Sequence, residues 1–189
     1  MNQPASARTQ LLPGALLILA AAAIELALGR VPWCRCGTIR LWQNEVVSAE
    51  NSQHIADWYT PSHIVHGLLF YAVLAFAAPR LALGRRALIA LLVEVAWEVT
   101  ENTSWVIERY RAATIALDYY GDSVVNSVSD MLAMLLGFWL AARLPAWAGL
   151  ALALGLEALA LAVIRDNLTL NLLMLLHPLQ SVRDWQAGA

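Results

Sequence analysis

The sequence predicts an all-α, polytopic membrane helix bundle of about five transmembrane helices plus a short C-terminal interfacial or re-entrant segment, and three observations carry that prediction. The 189 residues are 60% hydrophobic and only 14% charged, with a mean hydropathy of +0.58, outside the range of ordinary soluble domains. Apolar runs long enough to cross a hydrocarbon core of roughly 30 Å, about 20 residues at 1.5 Å each, recur along the chain. Eight Trp residues supply amphipathic rings of the kind that collect at membrane–water interfaces. The basic residues are all Arg, and a formal charge of −2 argues against nucleic acid as a partner. No repeat or linker divides the chain, so residues 1–189 read as a single integral membrane domain.

The first run, Leu11 to Gly29, has Glu25 as its only charge. Arg8 and the Ala-rich stretch partly imitate a secretory signal, but the run fills the bilayer and continues into Arg30-Val31-Pro32-Trp33, not a small-residue cleavage site, so a retained span is expected. The second span runs from Pro61 to Pro79, and Thr60-Pro61-Ser62 reads as its start, a hydroxyl cap with Pro in the first turn. The third covers Ala87 to Ser104, the fourth Val124 to Ala142 and the fifth Ala146 to Ile164. Leu168 to Leu176 is apolar but too short to cross, so it should lie in the interface or dip in and return.

The connections set the orientation. Residues 80–86 and 143–145 are short, basic and free of acids, whereas 30–60 and 105–123 are long and mixed. Arg8, Arg80, Arg85, Arg86 and Arg143 are the denser set, which places the N-terminus in the cytoplasm and the long loops outside. Trp33, Trp42, Trp58, Tyr59, Trp105, Tyr110, Tyr119, Tyr120 and Trp185 then form an outer aromatic belt, with Trp139 and Trp147 on the inner side.

Charges inside spans are the informative residues, because each costs about 2.5–3.5 kcal/mol on insertion scales and normally faces a partner or a wet cavity. His63 and His66 share one face of the second span. Glu94, Glu98 and Glu101 form a carboxylate stripe on the third, and Asp122, Asn126 and Asp130 a polar stripe opening the fourth. At 1.5 Å per residue, His66 lies roughly 8 Å below the outer end of its helix, Asp130 about 12 Å below Asp122, and Glu98 and Glu101 about 12 and 8 Å below the outer surface. One cluster of His66, Glu98, Glu101 and Asp130, roofed by His63, Asp122 and Asn126, is therefore geometrically allowed, with Glu25, Glu94 and Glu157 outside its level. Interhelical glue needs two or three polar groups; a larger buried set calls for a divalent cation, a shared proton or a charged substrate. Oxygen ligands with imidazole suit Mg²⁺, Mn²⁺ or Zn²⁺ alike.

Other residues carry weaker signals. Cys34-Arg-Cys36 fits a metal site, a tight disulfide or two free thiols. His54 and Asp57 either approach the site from above or are solvated loop residues, and Glu108-Arg-Tyr-Arg111 is expected to pair with lipid phosphates or with itself at the interface. Arg165 either holds an anionic headgroup through its bidentate fork or snorkels to the interface.

Val31-Pro-Trp-Cys-Arg-Cys-Gly37, Asp57-Trp-Tyr-Thr-Pro-Ser-His-Ile-Val-His-Gly67, Trp97-Glu-Val-Thr-Glu-Asn102, Asp118-Tyr-Tyr-Gly-Asp-Ser-Val-Val-Asn-Ser-Val-Ser-Asp130 and Arg165-Asp-Asn-Leu-Thr-Leu-Asn171 together resemble an uncharacterised family of bacterial inner-membrane proteins of unknown function. More distantly, His66-Gly67, the Glu motif of the third span and the Asp122, Asn126, Asp130 series are similar to the VanZ-like membrane family, associated with glycopeptide resistance. The third-span motif here is Glu-Val-Thr-Glu where that family has Glu-x-x-Gln.

The sequence therefore leads to a multi-pass inner-membrane protein whose partners are membrane lipids and a lipid-linked or amphiphilic envelope substrate. As an enzyme it would hold a divalent cation or share protons on His66, Glu98, Glu101 and Asp130, take its general base from Asp122 or His63, and bind substrate through Asn126 and Arg165. A proton-coupled carrier using the same carboxylates as a relay, and a non-catalytic lipid-binding or assembly protein, are the alternatives. The orientation has a direct test in a Cys34→Ser, Cys36→Ser background. An impermeant maleimide should label Glu50→Cys and spare Gly84→Cys in intact spheroplasts; the reverse pattern would invert the topology.

Overall fold

In the computed structural model, residues 8–116 and 118–188 are described. They form α1 (Arg8–Ala27), α2 (Thr60–Ala77), α3 (Leu83–Glu101), α4 (Ser104–Ala113), α5 (Val124–Arg143), α6 (Ala146–Ile164), α7 (Leu168–Leu176) and α8 (Gln180–Ala187). The protein is all-helical, and α1, α2, α5 and α6 are long and apolar enough to cross a membrane. α3 matches them in length at 19 residues. Its two Arg and three Glu set it apart in composition, which is why four helices and not five meet that description. α4 and α8 were not anticipated; α7 has the bounds read from the sequence.

Helix ends explain much of the local order. Pro61 sits in the first turn of α2, as its fixed φ favours. The expected hydroxyl cap is absent: the Thr60 hydroxyl instead donates to Asp130 Oδ1 at 3.1 Å, and Asp57 organises the turn by accepting from Tyr59 N at 2.7 Å and Ser52 N at 3.0 Å. Ser123 caps α5, accepting from Asn126 N at 3.2 Å. The next free donors of that helix, Val124 N and Val125 N, bond the carbonyls of Val31 and Pro32 at 2.9 and 3.1 Å, which ties the long loop after α1 to α5. α6 stops at Arg165, in the left-handed region at φ 53°. Asn167 then caps α7, and Glu157 of α6 accepts from Leu168 N at 3.0 Å and Thr169 N at 3.1 Å. Glu157 thus neutralises the exposed donors of a neighbouring helix start.

α2 packs most extensively on α5, and two glycines allow it. A Cβ at Gly67 would run into the Met134 carbonyl, and one at Gly137 into the Ile64 carbonyl. Around this contact Ala21, Ala90, Leu91, Val95, Met131, Met134 and Phe138 form the apolar core, which joins α1 and α3 to α5. α6 lies along α2 with Ala160 its buried residue, leaving Leu150, Leu154, Leu159 and Val163 exposed. The aromatic belt needs one correction. Trp33, Trp42, Trp105 and Trp185 are exposed, but Tyr110 (4%) and Tyr119 (9%) are buried with Val106 and Ile107 in a second cluster.

Gly67→Ala and Gly137→Ala should each lower stability by at least about 1–3 kcal/mol, because backbone on the facing helix must move. Gly149→Ala, which meets nothing within 4 Å, should be neutral or slightly stabilising. Melting in detergent distinguishes the two sets.

Candidate functional site

The three polar stripes converge at the end of the bundle that carries the long loop. At the base stand His63 and His66 of α2, Glu94 and Glu98 of α3, and Asp130 of α5, all buried. Glu94 is the pivot. Its Oε1 accepts from His63 Nδ1 at 2.7 Å, and its Oε2 lies 3.0 Å from His66 Nδ1. A carboxylate holding Nδ1–H fixes the tautomer and leaves the Nε2 lone pair available, the arrangement that orients metal-ligating histidines. His63 Nε2 points to Asp130, with 3.8 Å to Oδ2, a spacing with room for an ion about 2 Å from each. Glu98 Oε1 lies 3.3 Å from His63 Nδ1, but that proton is engaged by Glu94, and this buried oxygen has no hydrogen-bond partner among the described residues. His63, Glu98 and Asp130 offer ligand atoms that all lie within 4.8 Å of one another.

Above this base a cavity reaches toward the loops and opens to solvent there. Its wall is built from tyrosine–acid pairs. Tyr59 donates to Asp166 Oδ2 at 3.2 Å, Tyr119 to Asp122 Oδ1 at 3.1 Å, and Tyr110 to Asn171 Oδ1 at 2.7 Å, with Glu101 bonded to Tyr110 as well. Asn102, the C-cap of α3, holds Asp122 from both sides: its Nδ2 donates to Asp122 Oδ2 at 2.9 Å, and its Oδ1 accepts from Asp122 N at 2.7 Å. The roof is the segment 51–57. Gln53 reaches Gly121 O at 2.8 Å, and Asn126 Nδ2 donates to His54 O at 3.0 Å.

Burial raises the pKa of three loop acids, Asp57, Asp122 and Asp166. Burial pushes the Asp122 carboxyl up to about 6 against the hydrogen bond from Asn102. Burial likewise lifts Asp166 to about 6, offset by the Asn167 N–H and the Tyr59 hydroxyl.

Of the residues singled out from the sequence, His63, His66, Glu101, Asp122, Asn126 and Asp130 line this cavity, and Glu98 lies buried beside it. Among the four read as ligands, Glu98 and Asp130 are grouped with His63, whereas His66 is grouped with His63 and Glu94, and Glu101 with neither. Glu94, placed outside the level by depth, is the residue that joins the histidines. Arg165 stands apart: it is exposed, its guanidinium donates to Trp185 O at 2.8 Å, and it lies over the Trp185 ring. Its neighbour Asp166 faces the cavity instead. His54 and Asp57 are buried and not solvated. Arg109 bonds Leu175 O at 2.9 Å, fastening α4 to α7. Cys34 and Cys36 are joined in a disulfide. Sequence reading left Glu94 out of the site and missed Asn102, Asp166 and the tyrosines as site residues; the place of Glu94 in the α3 stripe and of Asn102 beside it was the available signal.

The described residues define an all-helical protein with an acid-rich cavity and four helices long and apolar enough to cross a membrane. The chain belongs to the family described as protein of unknown function (DUF2585), which matches residues 25–188. It is 63% identical over 173 residues to a UPF0314 protein of Paracoccus denitrificans, covering 92% of this chain and 90% of that one. It is 52% identical to a UPF0314 protein of Brucella anthropi, covering 93% and 91%, and 50% identical to one of Sphingopyxis alaskensis, covering 96% of each. No solved structure matches.

The Asp166 shift has a pH consequence. The unfolded chain releases this proton near pH 4, whereas the folded chain holds it to about pH 6. Between these values the folded state binds more protons, so its stability is greatest below that window and falls as pH rises through it. Asp166→Asn keeps the shape without the titration and should remove a share of that fall of up to about 3 kcal/mol, read from melting temperatures between pH 4 and 7.

Proposed function

We propose that this chain is a multi-pass protein of the bacterial inner membrane, folded as a single integral membrane domain, in which α3 is a fifth crossing and the N-terminus is cytoplasmic. The cavity then opens on the outer side, where a divalent cation held by His63, Glu98 and Asp130 assists a reaction on a lipid-linked or amphiphilic envelope substrate. The observation that carries the reading is Glu94: one buried carboxylate lies within hydrogen-bond distance of Nδ1 of two histidines and so presents His63 Nε2 beside Asp130. The orphaned Glu98 Oε1 supports it, because a buried acceptor without a donor is costly unless something positive meets it.

A bound ion supplies a Lewis acid and an activated water. The chain supplies the rest. Asp122, with its carboxyl lifted to about 6, is the general base, held in place by Asn102 and Tyr119. Raised pKa values bring a carboxylate nearer the operating pH, where proton transfer is most effective. Asn126 and the tyrosine wall position substrate. A distant VanZ-like kinship, carried only by the His-Gly and Asp-x-x-x-Asn-x-x-x-Asp motifs, is part of the same proposal and would fit a membrane-embedded site, while the Glu-Val-Thr-Glu departure in α3 leaves the chemistry of that family out of it.

Elemental analysis of protein purified without metal resin and dialysed against equimolar Mg²⁺, Mn²⁺ and Zn²⁺ is the test. About one ion per chain should remain, and His63→Ala and Asp130→Ala should lose it while Glu157→Gln keeps it. No retained ion in the wild type would overturn the metal site and favour the same carboxylates as a proton relay.

A further inference from the structure

The cavity is asymmetric in its hydrogen-bonding capacity, and the asymmetry describes what enters it. The hydroxyls of Tyr59, Tyr110 and Tyr119 are engaged by Asp166, Asn171 and Asp122. The Asn126 amide is engaged by His54 O, and Asn171 bonds Asp166. What these groups leave toward the cavity are acceptors, since an ionised carboxylate has about four lone-pair sites and no proton. Two further acceptors are orphaned outright. Asn51, more than nine-tenths buried on the cavity wall, has an Oδ1 with no hydrogen-bond partner among the described residues, and so has Glu98 Oε1 at the base. Among the described residues, neither Arg nor Lys lines the cavity. Arg30, which donates to Tyr120 O, and Arg165, bonded to Trp185 O, are directed elsewhere.

A site so lined repels a bare anion, because each carboxylate would face it with no guanidinium between. It suits a group that brings donors and positive charge together. An ion on His63, Glu98 and Asp130 would still leave Glu101, Asp122 and Asp166 on the tyrosine side. Those three stand among the rings of Tyr59, Tyr110, Tyr119 and Trp97, whose faces attract a cation. We propose that the cavity receives the primary-ammonium headgroup of a membrane amphiphile, with Glu101, Asp122 and Asp166 as its acceptors and the aromatic wall around it. This names the substrate class of the site described above and rests on that site being a substrate cavity, but it does not require the ion.

Native mass spectrometry of the full chain in detergent, with equimolar phosphatidylethanolamine and phosphatidylglycerol, tests it. The wild type should retain the ammonium lipid about tenfold better, as one charge-assisted contact predicts, and Glu101→Gln with Asp166→Asn should bring the ratio near one. Should that double variant fail to fold, competition on the wild type decides: dodecylammonium should displace the retained lipid and dodecylphosphate should not. Equal or reversed retention in the wild type, a preference unchanged in the folded variant, or displacement by dodecylphosphate would overturn the proposal. Repeating the wild-type measurement in EDTA separates the two claims. Preference persisting without metal supports the ammonium site whatever the elemental analysis finds; a stoichiometric ion with no lipid preference sinks the ammonium site alone.

Discussion

Glu94, Glu98, Glu101, Asp122, Asp130 and Asp166 crowd one end of an apolar bundle around the imidazoles of His63 and His66, and this excess of acid is the constraint the rest of the structure serves. Burying a charge without a partner costs several kcal/mol. The chain meets that cost in three ways. Glu94 lies within hydrogen-bond distance of two imidazoles. Tyrosines, Thr60 and Asn102 donate to Asp122, Asp130 and Asp166. The loop 51–57 closes over them, with its own polar groups bonded to Gly121 and Asn126. Gly67 and Gly137 belong to the same scheme, because only their close approach brings the His63 face of α2 against Asp130 of α5.

That scheme explains which parts were legible in the sequence. Long apolar runs announce helices, so α2, α5, α6 and α7 emerged with ends within a residue or two and α1 within three, and the charges inside them marked the site. Rise per residue was enough to bring His66, Glu98 and Asp130 to one level. It was not enough for Glu94, because a helix position fixes the Cα and not the reach of a Glu and a His side chain toward each other. Composition likewise could not separate Tyr110 and Tyr119 from interfacial tyrosines. Their burial depends on α4, a ten-residue helix whose pattern is too short and too polar to stand out, and on its attachment to α7.

The loop between α1 and α2 was the least legible element. His54 and Asp57 look like solvated polar residues when read locally, and they are buried because distant backbone groups meet them: Arg40 N reaches His54 Nδ1 at 3.2 Å, and Asn126 reaches His54 O. Arg165 and Asp166 show the same limit at one turn. The left-handed conformation at Arg165 sends adjacent side chains to different surroundings, the cation to Trp185 and the acid to the cavity.

The central claim is that Glu98 of α3 and Asp130 of α5 act as one unit on His63. A double-mutant cycle of Glu98→Ala and Asp130→Ala, scored by thermal unfolding in detergent with and without added divalent cation, measures it. Each single change should cost about 3–5 kcal/mol by leaving the other acid uncompensated, and the pair should cost clearly less than the sum, with the coupling larger when cation is present. Glu157, committed to the start of α7, should show no coupling to Asp130. Strict additivity for Glu98 and Asp130, or equal coupling of Asp130 to Glu157, would contradict the account.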